Sequence, residues 1–113
     1  MVVIDIQKRI FHRILSNFIK IFSINDWMEL ASLNMNALSF FKTEFPDIFY
    51  KFKQEGMSAG LGSNQTIFKY ITIESIREML QNNAPEYLKA LDNSNYMPWF
   101  IEQINFFTDY LAN

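Results

Sequence analysis

Apolar residues recur at helical spacing along most of the chain. Ile6, Ile10, Phe11, Ile14, Leu15, Phe18, Ile19, Ile21 and Phe22 fall within about half of a helical wheel, with Arg9, His12, Arg13, Ser16 and Lys20 opposite. This pattern predicts a strong amphipathic helix. Ser23 to Asp26 offers a break, with Asn25 or Asp26 able to cap a helix running from Trp27 toward Leu33. Asp26 and Glu29 then occupy the first turn, where the helix dipole favours carboxylates.

Met35, Leu38, Phe41 and Phe45 continue a helical stripe, but Phe45 precedes Pro46 and is pushed out of the helical region. Pro46 followed by Asp47 is a sound helix start, with Ile48, Phe49 and Phe52 on one side and Gly56 as the expected C-terminal stop. All three glycines lie between Gly56 and Gly62, and Ser63 and Asn64 follow, so a flexible loop is expected over 56–64. A phosphate-cradling loop would need a Lys after the last Gly and a strand before the first, and neither is present.

Thr66 to Ile73 is ambiguous, since Ile67, Lys69, Ile71 and Ile73 alternate with Phe68, Tyr70 and Thr72, and all but Lys69 favour strands. The alternative to an all-helical fold is therefore a two-stranded ribbon pairing Val2 to Ile6 with Thr66 to Ile73. From Ile73 onward Ile76, Met79 and Leu80 form a clean helical face, with Thr72 as N-cap and Ser75 with Glu78 spaced for a further capping box. Pro85-Glu86 repeats the proline-acid start ahead of Tyr87, Leu88 and Leu91, and Asp92 to Asn95 reads as a turn. Pro98 opens the last helix, whose stripes Phe100, Ile104, Phe107, Leu111 and Trp99, Phe106, Tyr110 make an unusually wide apolar arc. An arc that wide is either held between two other helices or partly exposed for a partner. The starts at Pro46 and Pro85 share helix-initiating chemistry, and two weak copies do not make a repeat array.

The length, 113 residues, suits a single domain with one core, here five or six helices. Half the residues are apolar and 19% are charged, far from the composition of disordered chains. Twelve Phe, five Tyr and two Trp supply abundant packing surface, whereas Cys is absent and His occurs once. Disulfides and thiolate metal sites are thereby excluded, and a reducing, cytoplasmic setting suits the chain. Charged residues interrupt the first apolar run, which is not the pattern of a signal peptide, and no stretch is apolar for the ~18 residues a membrane span needs. Abundant Ile, Phe and Asn beside scarce Ala, Gly and Arg is the bias of an AT-rich genome, and a bacterial or phage origin is expected.

The net charge of −2 conceals a polarity. Residues 1–20 carry Lys8, Arg9, Arg13 and Lys20 against Asp5, while residues 70–113 carry Glu74, Glu78, Glu86, Asp92, Glu102 and Asp109 against Arg77 and Lys89. Candidate chemistry is sparse. A metal site from His and Cys cannot be assembled, no calcium-loop spacing occurs, and His12, the sole available triad base, lies among cations that disfavour its protonation. No cofactor, metal or catalytic residue is expected.

What the composition favours is contact. Aromatics interleaved with acids in the C-terminal third, namely Glu86, Tyr87, Asp92, Tyr96, Trp99, Glu102, Asp109 and Tyr110, would suit a protein partner with a basic surface. The leading expectation is a small protein-binding module that inhibits or neutralises its partner, as immunity proteins and antitoxins do; no motif carries that likeness beyond size and charge. The alternative is a nucleic-acid-associated helical subunit using Lys8, Arg9, His12, Arg13 and Lys20. A small enzyme of unknown reaction is the third possibility.

Overall fold

Seven helices account for nearly all of the described chain: α1 (Val2–Ile19), α2 (Ile24–Ser32), α3 (Ala37–Glu44), α4 (Pro46–Ser58), α5 (Ile73–Asn83), α6 (Pro85–Asn93) and α7 (Met97–Ala112). This computed structural model describes residues 2–62 and 71–112, with side chains from residue 6 onward. The all-helical class is as expected, but five or six helices become seven. Of the stripe through Met35 to Phe45, Leu38 and Phe41 belong to a separate helix, α3, with its own N-cap at Asn36 and its C-cap at Phe45. The alternative ribbon is ruled out on one side, because Val2 to Ile6 is the first part of α1. Of its other side, residues 66–70 lie outside the described residues, and Ile73 begins α5.

Helix ends follow two recurring devices. Where a helix meets proline, at Phe45-Pro46 and Ala84-Pro85, the preceding residue leaves the helical region (φ −135°, ψ 59° and φ −154°, ψ 64°) and the proline opens the next helix. Where no proline intervenes, α2, α4 and α6 end in the same left-handed motif. Asn34, Gly60 and Asn95 have φ of 52°, 74° and 64°, and the residue after each donates its N–H back into the closing turn: Met35 to Leu30, Leu61 to Gly56 and Tyr96 to Leu91. Each bond satisfies a carbonyl that the helix end leaves without a partner. The stop expected at Gly56 is thus displaced to Gly60, since α4 continues through Gly56 to Ser58.

The starts of α2, α3 and α5 are capped by side chains. Ser23, not Asn25 or Asp26, caps α2 by accepting from the Asp26 N–H, which moves the helix start back to Ile24. Thr72 caps α5 as expected, with Ser75 completing the reciprocal pair.

Aromatic rings fill the interior. Phe18 of α1 stacks on Phe107 of α7 at 4.1 Å between ring centres, and meets Trp27, Phe41 and Phe49 edge-on at 5.6, 5.6 and 6.0 Å. These edge-to-face pairings are the favoured geometry for such rings. The wide arc of α7 is explained by its neighbours, because α7 packs against α3, α4 and α6. Phe100, Ile104, Phe107 and Leu111 are all buried in consequence. The radius of gyration, 13.7 Å, is close to the ~13 Å of a close-packed chain near this length. No helix among the described residues is long and apolar enough to cross a membrane.

Candidate functional site

Three of the four C-terminal aromatics selected from the sequence turn their polar ends inward. Tyr87 is buried, and its hydroxyl donates a short hydrogen bond to the Phe22 carbonyl. Trp99 Nε1 donates to the Met35 carbonyl at 3.0 Å, and the Tyr110 hydroxyl donates to the Phe49 carbonyl at 3.0 Å. Lys42 and Lys53 flank the Tyr110 ring at 5.0 and 5.3 Å. Tyr96 is half-buried and closes the end of α6. The acids stay outside: Glu86, Glu102 and Asp109 are exposed, and Asp92 receives both guanidinium nitrogens of Arg77 at 2.8 Å. The Arg77 guanidinium holds the Asp92 carboxyl below its ordinary range. The acids of this region therefore remain on the surface while Tyr87, Trp99 and Tyr110 are engaged in holding the fold.

The basic residues of α1 and of the turn that follows it are laid out as the wheel requires. Arg9, His12, Arg13 and Lys20 are exposed and Lys8 is half-buried. Arg13 pairs with Glu55 of α4 at 3.4 Å, so part of the stripe is already neutralised. His12 holds its proton less readily than an ordinary histidine, because part of the ring is buried and, second, because Lys8 lies beside it. The residues that would carry the nucleic-acid alternative are thus on one face, and the Arg13 charge is paired with Glu55. Among the described residues no three His, Asp or Glu side chains gather as a metal site would require.

A different place gathers apolar surface and charge. Between α2 and α3 lies an open recess of about 380 Å³. Its apolar lining comes from Phe22, Leu30, Leu33, Met35, Phe40 and Phe45, and its polar lining consists of three carboxylates, Asp26, Glu29 and Glu44, with no cation among them. Leu33 and Phe45 are exposed over 62% and 37% of their surface, a large share for such residues. The Ser23 hydroxyl donates to Asp26 Oδ2 at 3.0 Å; no ion pair to any of the three acids occurs among the described residues.

No protein-family model, curated protein or solved structure matches this chain. The reading of the site therefore stands on geometry alone.

Local sequence explains how the recess forms. On α2, Asp26, Glu29, Leu30 and Leu33 are spaced i, i+3, i+4 and i+7, so acid and apolar side chains share one face. On α3, Phe40 and Glu44 are one turn apart and repeat that pairing. The Phe45 ring closes the end, lying 5.2 Å from Phe22, which in turn lies 6.0 Å from Phe40.

Three buried or half-buried polar side chains fix the walls from beneath. Tyr87 holds the backbone at Phe22 and Trp99 holds it at Met35, both lining residues of the recess. Gln103, almost wholly enclosed, accepts from the Ala37 N–H at 2.8 Å with its Oε1 and donates from Nε2 to the Trp99 carbonyl at 3.1 Å. The first amide of α3, an orphan donor by helix geometry, is thus satisfied by a side chain 66 residues away. The sequence alone does not reveal this site: the helix dipole accounts for Asp26 and Glu29 there, and the one signal it holds is that these carboxylates share a helical face with Leu30 and Leu33.

Proposed function

We propose that this chain is a small protein-binding module that neutralises a partner by covering a basic segment of it with the recess between α2 and α3. The observation that supports this reading is the recess itself: exposed apolar side chains surrounded by three carboxylates and no cation. Apolar area supplies affinity when it leaves water, while the acids select a partner of opposite charge and speed its encounter. The site is also preorganised, since its backbone is held by Tyr87, Trp99 and Gln103, and little ordering is required of it on binding. The partner class is the one anticipated from the sequence, but the surface that meets it moves from the C-terminal third to residues 22–45.

The test compares the intact chain with a Glu29→Lys, Glu44→Lys variant. Both positions are exposed and lie within helices, so the variant should keep the wild-type helical content and melting temperature. A photo-crosslinker placed at Leu33 should label a basic protein in wild-type lysate, and that same purified protein should bind the wild type and lose activity, with the charge-reversed variant doing neither. Retained binding by the variant, or crosslinking of the partner only from α1 positions such as Arg9, would reject this surface; capture of RNA or DNA instead would favour the nucleic-acid alternative.

A further inference from the structure

Resting on the binding-module reading, we infer that the partner group entering the recess is an arginine side chain on a segment with apolar flanks. A purely apolar side chain placed there would strip water from Asp26, Glu29 and Glu44 and return no partner to them, which is unfavourable. A cation answers the carboxylates. Three phenyl rings, Phe22, Phe40 and Phe45, also line the same small space, and a cation over a ring face is attracted by its π electrons. Arginine meets both demands better than lysine: its planar guanidinium is weakly hydrated, stacks on aromatic faces and donates two parallel hydrogen bonds to a carboxylate. Lysine brings a compact, strongly hydrated charge that sheds its water less readily. Leu33 and Phe45, at the exposed margin, would receive the apolar flanks.

The probes are capped peptides, acetyl-Leu-Arg-Leu-amide and its lysine and citrulline counterparts, titrated at millimolar concentration into the isotopically labelled full chain and followed by amide resonances. Citrulline keeps the shape of arginine without the charge. The arginine peptide should shift the amides of Leu33, Phe40, Glu44 and Phe45 and bind more tightly than the lysine peptide. Its advantage over citrulline should be at least about twofold, the lower end for one exposed cation–π contact. A Glu29→Gln, Glu44→Gln variant should reduce that advantage while still folding.

Equal binding of arginine and citrulline peptides, lysine binding as tightly as arginine, shifts that map elsewhere, or no shift with any peptide would each overturn the arginine assignment. None of those results touches the crosslinking and charge-reversal experiment, so a failure here is distinguishable from a failure of the module reading.

Discussion

Replacing Gln103 with Met should loosen α3 by a predictable amount. The two side chains are similar in length and volume, so the perturbation is the loss of two polar contacts with little cavity. The Trp99 carbonyl loses little, because it lies within α7 and the helix ladder serves it. The Ala37 N–H is different: Ala37 is wholly buried, and its one observed acceptor is Gln103 Oε1 at 2.8 Å. Leaving a buried donor unmade costs about 1–3 kcal/mol. Removing the amide group from an apolar surrounding returns part of this, so the net loss should be about 1–2 kcal/mol, or roughly 4–8 °C in melting temperature for a chain of this size.

Amide hydrogen exchange separates the hydrogen bond from steric effects. Measured by urea unfolding followed by tryptophan fluorescence, Gln103→Met should lower stability by about 1–2 kcal/mol. The Ala37 amide should in addition lose protection beyond the loss shared by the core amides of α7. An Ala37 amide that keeps its protection relative to those core amides would refute the claim that it is what Gln103 serves.

Other expectations follow from the helix ends and the buried rings. Gly60→Ala should destabilise by about 1 kcal/mol because φ is 74° there, whereas Gly56→Ala should be neutral or stabilising by up to about 1 kcal/mol, since the added methyl would meet Leu111 at 3.4 Å within an otherwise regular helix; equal effects in thermal melts would contradict the assignment of the stop. Burial, followed by the charges of Glu86 and Asp26, raises the Tyr87 ionisation above its ordinary value. Its contribution is therefore complete below that ordinary value, near pH 10, and lost as pH rises toward the folded value. Tyr87→Phe should cost about 1 kcal/mol at neutral pH and flatten the alkaline fall, read from melts at increasing pH. For His12, whose folded proton affinity is lowered, the unfolded chain binds the proton first on acidification. Stability should fall as pH drops below about 6.5, and His12→Gln should remove that part of the slope; an unchanged slope would show that His12 is not its source.

The proline starts and the Thr72 cap are legible in residue types, because caps and breaks depend on neighbours a few positions apart. Pro46 and Pro85 end one helix and open the next by removing a donor and fixing φ, whatever surrounds them. The errors at this level were also local. Ser23 outcompeted Asn25 and Asp26 as a cap, Asn34 ended a helix that periodicity alone would have continued, and Gly60, not Gly56, took the left-handed position.

The fate of the aromatic rings was decided elsewhere. Tyr87, Trp99 and Tyr110 look like contact anchors when read along the chain, but their hydroxyl and indole groups meet backbone carbonyls 61 to 65 residues away. Periodicity tells which side of a helix is apolar, not how much of that side its neighbours will cover. The recess arises where the covering is incomplete, between α2 and α3, and there Leu33 and Phe45 remain in water beside Glu29 and Glu44. Local chemistry determined the helices of this protein. Its exposed apolar surface was decided by tertiary packing, because exposure is a property of the distance between helices and is not carried by any one of them.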